Sequence, residues 1–257
     1  MARPRRTLQQ PTGARKPLAA ALIAADKQKT GSFAAVESIF LGAMWQFDQD
    51  VVSGLANQGD IQNGKGDFFN DFLGVLLKRG SGKEVSARPG VPGLSFRSHK
   101  LDCAYPATGD VRFIVETKAT GIPRHARNTR QPNPEGRPGS ADLEKRVKEA
   151  ALKNIDIKAE HSRLAGKGHG ATSDLVTFLR RTPPLTCMFI TSRVVSDNDR
   201  LRVEHYARIA QVWFDYCGIY CYGLDKARTG YEGKQVHTTL DLDRVLSQVQ
   251  TALRAMP

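Results

Sequence analysis

Apolar residues recur at helical spacing through the first third of the chain. Residues 17 to 28 predict a short helix. In SFAAVESIFLGAMWQFDQDVVSGLANQ, residues 32 to 58, Phe33, Val36, Ile39, Phe40 and Met44 share a stripe, which predicts one or two amphipathic helices with Ser32 as a candidate cap. In GDFFNDFLGVLLKRG, residues 66 to 80, Phe69, Phe72, Leu73, Leu76 and Leu77 make a second stripe, and Gly80 reads as its stop.

Beyond Gly80 the period shortens to two. Residues 83 to 88 predict a strand, closed by the breakers Pro89, Gly90, Pro92 and Gly93. LSFRSHKLDCAY, residues 94 to 105, predicts a second strand. VRFIVETK, residues 111 to 118, predicts a third, with Val111, Phe113 and Val115 on one face and a turn at 107 to 110 between the two. Residues 121 to 140 carry Pro123, Pro132, Pro134 and Pro138 and predict a long loop. Residues 141 to 165 predict a long helix capped by Ser140, with Asp142 and Glu144 in its first turn. A helix at 171 to 181, a buried strand at 185 to 194, a helix at 200 to 217, a strand over GIYCYGL and a helix at 241 to 254 complete the chain.

This order predicts an α/β (α+β layered) protein with a central mixed sheet flanked by helices. It divides into a basic flexible arm at 1 to 16, a helical N-terminal extension at 17 to 60 and a core at 61 to 257.

Composition adds a partner. Lys and Arg number 38 against 26 Asp and Glu, a formal net charge of +12, which points to a polyanion and foremost to nucleic acid. No run of 18 apolar residues occurs, so no membrane span is expected. Cys103, Cys187, Cys217 and Cys221 form no CxxC pair and join no histidine cluster. They read as ordinary buried thiols, and a reducing, cytoplasmic location is expected. GKGHGATS, residues 166 to 173, lacks the lysine followed by Ser or Thr that a phosphate loop needs, and no G-x-S-x-G marks a serine hydrolase.

Three charges fall where strands should feed a core: Asp102 at the end of one predicted strand, Glu116 and Lys118 at the end of the next. Unpaired in a sheet, each would cost several kcal/mol, by order of magnitude. Carboxylates at the ends of two adjacent strands can hold a hard divalent cation such as Mg²⁺, and the backbone carbonyl of Thr117 can add an oxygen. Glu116 and Lys118 share a strand face, which puts the ammonium beside the cation, where it can orient water or offset phosphate charge. That chemistry suits phosphodiester hydrolysis. The plainer reading is a Glu116–Lys118 pair at an exposed sheet edge, contributing roughly 0 to 1 kcal/mol.

Asp102, a gap of thirteen residues, then Glu116-Thr117-Lys118 resembles the pattern of the PD-(D/E)XK nuclease superfamily, which includes most type II restriction endonucleases. The predicted order of residues 66 to 192, helix, three strands, helix, strand, is similar to that family's core. Leu101 stands where the family's pattern has proline. The resemblance implies a restriction-endonuclease-like core, Mg²⁺-dependent cleavage of double-stranded DNA and a homodimer. It also implies an acidic residue from the first helix; Asp71 is the first candidate and Asp67 the second, while Asn70 stands where a glutamate often does. Arg124, Arg127, Arg130 and Arg137, in the loop after the third strand, are candidate DNA contacts. Lys145, Arg146, Lys148, Lys153 and Lys158 read as a mostly solvated helix face, with Lys158, Glu160 and His161 as candidates to stand behind the site. A non-catalytic DNA-binding module on the same fold and a repair or recombination nuclease of the same superfamily are the alternatives.

Overall fold

The computed structural model describes residues 15–106, 110–125, 135–165, 178–179 and 182–257. Three helices come first: α1 (Arg15–Lys27), α2 (Glu37–Val52), entered through a 3-10 turn at Ala34–Val36, and α3 (Gln58–Ser81). Four short strands follow: β1 (Ser86–Ala87), β2 (Gly90–Val91), β3 (His99–Lys100) and β4 (Cys103–Tyr105). The remainder runs β5 (Phe113–Thr120), α4 (Leu143–Leu164), β6 (Leu185–Arg193), α5 (Asp197–Trp213), β7 (Tyr216–Leu224), β8 (Tyr231–Lys234) and α6 (Leu242–Arg254).

The class is mixed α/β. Six strands form one sheet in the order β1-β4-β5-β6-β7-β8, with β2 and β3 paired apart from it. β5, β6 and β7 run parallel, and β1, β4 and β8 are antiparallel to their neighbours. Strand alternation divides the side chains between two layers. Phe113 and Val115 of β5, with Cys187 and Phe189 of β6, face α1, α2, α3 and α6. Met188 and Ile190, with Cys217 and Ile219, face α4 and α5, and Ile114 packs with Ile157 of α4.

The N-terminal helices belong to the main core. Phe33, Phe40 and Met44 pack in one cluster with Phe72, Leu76, Phe189, Tyr220 and Leu246. The predicted boundary at residue 60 falls inside α3, which begins at Gln58 with the Asn57 side chain accepting from the Asp60 amide at 2.8 Å. The sequence hides this early start because Gly59, Gly64 and Gly66 are poor helix formers. Packing overrides propensity here: a side chain at Gly64 would meet the Phe47 ring at 2.9 Å, and Lys65 is wholly buried.

Other expectations are corrected. Gly80 lies inside α3, where a Cβ would collide with Gln250; the helix stops at Gly82, in the left-handed region at φ 75°. Ser32 shares its capping role with Asp243 of α6: Ser32 Oγ accepts from the Ala35 amide at 3.4 Å and donates to Asp243, which accepts from the Phe33 and Ala34 amides. Residues 94 to 105 are not one strand: 94–98 bend away, held by Asp156 of α4, which accepts from the Ser95 and Phe96 amides. α4 starts at Leu143 behind Asp142, which stands in the left-handed region at φ 60°, and without a Ser140 side-chain cap; the Ser140 amide donates to Asp199 at 2.9 Å. β8 was not anticipated. The arm at 1 to 16, except for its last two residues, and the helix at 171 to 181, except for residues 178–179, lie outside the described residues.

Candidate active site

β5 extends to Thr120 because its parallel pairing with β6 continues to Ser192. Glu116 and Lys118 therefore sit within the strand rather than at its end, on the α4 side with Ile114. β4 pairs with β5 only as far as Cys103, opposite Val115. Asp102 thus stands just before β4, at the point where the two strands part.

At that point Asp102 takes over from the missing ladder. Its Oδ2 accepts from the Thr117 amide at 2.6 Å and from Thr117 Oγ1 at 3.0 Å. In a strand the N–H and C=O of one residue point the same way, so the Thr117 carbonyl also faces the opening. There it accepts from Lys118 Nζ at 2.8 Å. The Asp102 backbone is fixed in turn: its carbonyl accepts from the Arg88 amide at 2.8 Å and from Asn70 Nδ2 at 3.1 Å.

Lys118 joins the two carboxylates. Its Nζ lies 3.0 Å from Glu116 Oε2 and 3.9 Å from Asp102 Oδ2. The Glu116 side chain is 3% exposed and that of Asp102 33%, so one carboxylate is enclosed and the other meets solvent. The Glu116–Lys118 pair is therefore not an exposed edge contact. Lys153 of α4 completes the enclosure, with Nζ 3.0 Å from Glu116 Oε1, 3.2 Å from Oε2 and 3.1 Å from the Lys100 carbonyl.

The donor set is of the kind a hard divalent cation takes: Glu116 Oε2, the Thr117 carbonyl and Asp102 Oδ2 all surround Lys118 Nζ, at 3.0, 2.8 and 3.9 Å. Among the described residues no group of three or more His, Cys, Asp or Glu converges. Asp71 therefore does not close a three-acid set with Asp102 and Glu116; its carboxylate lies 4.0 Å from Arg88, whose other partner is Asp67 at 2.8 Å. Burial raises the Asp71 pKa, against the opposing pull of Arg88 and with a further push from Asp67. α3 instead reaches the site through Asn70, which holds the Asp102 carbonyl and accepts from Cys103 Sγ at 3.0 Å.

The arginine loop divides. Arg124 is exposed just past β5. Arg137 pairs with Asp142, and its backbone bridges Ile122, closing the base of the loop. Arg127 and Arg130 lie outside the described residues. Lys158, Glu160 and His161 do not stand behind the site. Lys158 donates to the Thr182 and Pro184 carbonyls and pairs with Asp215, at the opposite end of the sheet; His161 meets Asp110 and Glu160 meets Arg163.

A buried ionic cluster supports the chain where it leaves β5. Lys65 Nζ lies 2.6 Å from Asp48 Oδ1 and donates to the Gly121 carbonyl at 3.2 Å. Tyr231 donates to Asp48, and Arg193 donates to Tyr231 Oη and to the Glu135 carbonyl. Burial lowers the Lys65 pKa, and Asp48 opposes that shift. Both ends of the loop, Gly121 and Glu135, are thus anchored to ions in the core.

Lys153 and the Asp48–Lys65–Arg193 cluster escape sequence reasoning. On a helix crowded with lysines, nothing local distinguishes Lys153; its spacing of three from Ala150, on the buried face, is the one available signal. Comparison with family models, with curated proteins and with solved structures finds no match to this chain.

Proposed function

We propose that this chain is a Mg²⁺-dependent endonuclease that hydrolyses phosphodiester bonds of double-stranded DNA, site-specific in the manner of type II restriction enzymes. The observation that carries the reading is the meeting of Asp102, Glu116, Lys118 and the Thr117 carbonyl where β4 parts from β5. The resemblance to the PD-(D/E)XK superfamily and the net charge of +12 support it.

A bound Mg²⁺ would supply a lowered pKa for water and charge stabilisation for the oxygens of the reacting phosphate. Asp102, Glu116 and the Thr117 carbonyl would hold it. Lys118 orients the attacking water and donates to a phosphate oxygen, and its pairing with Glu116 keeps the ammonium in place. Arg124 and Arg137 flank the exit of β5 and bind backbone phosphates. Two copies related by a two-fold axis match a palindromic site cut on both strands.

The test is incubation of mixed-sequence DNA with the protein and Mg²⁺, repeated with Glu116→Ala and Lys118→Ala. Discrete fragments from the unmodified chain and none from the variants are expected. Equal cleavage by all three removes these residues from the account. Binding without cleavage in any divalent metal supports a DNA-binding module instead.

A further inference from the structure

Each oxygen that would take the cation already has an ammonium beside it. Lys118 Nζ serves Glu116 Oε2, the Thr117 carbonyl and the flank of Asp102. Lys153 Nζ spans both oxygens of Glu116. Two carboxylates face two ammonium groups, so the site is electrically neutral without any metal.

A divalent cation entering this site meets two positive charges at ion-pair distance, and like charges oppose it most strongly where water is excluded. The Glu116 side chain is 3% exposed, so solvent screens little there. One ammonium must yield. Lys118 is the more confined, at 18% exposure, and stays on the strand that carries Glu116. Lys153 comes from a separate helix, is 34% exposed at the mouth of the site, and holds no other side-chain acceptor among the contacts described.

We propose that Lys153 is a built-in counter-ion of the cation site, which neutralises Glu116 in the free protein and transfers to a phosphate when nucleic acid arrives, so that cation and phosphodiester bind together rather than independently. The inference rests on the reading of Asp102 and Glu116 as cation ligands. A phosphodiester brings negative charge, gives the displaced ammonium a new partner, and removes the repulsion that keeps the cation out. By linkage, DNA raises cation affinity by the factor by which the cation raises DNA affinity. Lys153 is a positioning residue here, because it acts through Glu116.

The experiment measures Mn²⁺ binding calorimetrically to the full chain without DNA, for the unmodified protein, Lys153→Met, Lys153→Arg and Glu116→Gln. A second arm measures binding of a mixed-sequence duplex by anisotropy with and without Ca²⁺. Lys153→Met is expected to bind Mn²⁺ roughly tenfold tighter, within the usual 5–150-fold range of coupling between sites, and to lose most of the Ca²⁺ enhancement of DNA binding. Lys153→Arg keeps the charge and should stay near the unmodified values. Should Lys153→Met fail to fold, Lys153→Gln carries the same comparison. Mn²⁺ affinity unchanged or weakened on removing the charge overturns the inference while leaving the cation site intact. Mn²⁺ binding that is absent throughout, or indifferent to Glu116→Gln, overturns the cation site itself and this inference with it.

Discussion

Asp102 Oδ2 lies 2.6 Å from the Thr117 amide nitrogen, in the place where a neighbouring strand's carbonyl would continue the ladder. One carboxylate thus closes the sheet edge and faces the candidate reaction site. The two roles separate by substitution. Asp102→Asn keeps an acceptor oxygen and is expected to cost about 1 kcal/mol of stability, whereas Asp102→Ala leaves the amide unpaired and costs about 1–3 kcal/mol. Cleavage should fall at least about a hundredfold in both, the usual scale for losing one electrostatic group at a reacting centre. Urea unfolding beside a cleavage assay checks this; an active Asp102→Asn variant would leave the residue with the structural role alone.

Lys65 is wholly enclosed, and Asp48 is its counter-ion at 2.6 Å. Lys65→Met strands the Asp48 carboxylate among Tyr231 and Arg193 and should destabilise the fold by about 3–5 kcal/mol. The midpoint of urea unfolding measures it. A loss below about 1 kcal/mol would show that Arg193 and Tyr231 hold Asp48 without help.

Acid should release the segment before β4. Asp156 is buried, which alone would raise its pKa, but hydrogen bonds from His99, Ser95 and Phe96 outweigh burial and hold it below the ordinary value of 3.8. A depressed carboxylate pKa contributes stability that is present above the unfolded pKa and is lost as pH falls through the folded one. The stability gap between the unmodified chain and Asp156→Asn should therefore shrink as pH falls below about 4. Thermal unfolding between about pH 5 and about pH 2 checks it; a gap that keeps widening below about pH 4 contradicts the assignment.

The four thiols are all buried. Burial pushes Cys103 and Cys217 each up to about 12 and raises Cys187 and Cys221 well above the ordinary thiol value, so little nucleophilic thiolate exists near neutrality. A disulfide reagent at pH 8 should titrate none in the folded protein and four in guanidinium. Rapid labelling of any one in the native state would expose a route into the core.

Elements with strong local periodicity were legible. The stripe Phe69, Phe72, Leu73, Leu76 and Leu77 marked the body of α3, and Phe113 and Val115 marked β5, because burial on one face imposes a period that survives without context. The first two turns of α3 were not legible, because Gly64 and Lys65 are accounted for by Phe47 and Asp48, which come from another helix. The bend at 94–98 was missed for the same reason: Asp156, some sixty residues later, supplies the acceptors that draw it out of the sheet.

The sequence by itself determined the class of the fold and the identities of Asp102, Glu116, Thr117 and Lys118 as a group worth attention, since charge inside an apolar alternation demands a partner. Only the tertiary structure decided which partners those are. It set Asp102 against the Thr117 amide, turned Asp71 toward Arg88, and brought Lys153 onto Glu116. Strand divergence and helix crossing govern these pairings. Neither leaves a periodic trace in the chain, because each depends on two segments meeting rather than on the composition of one.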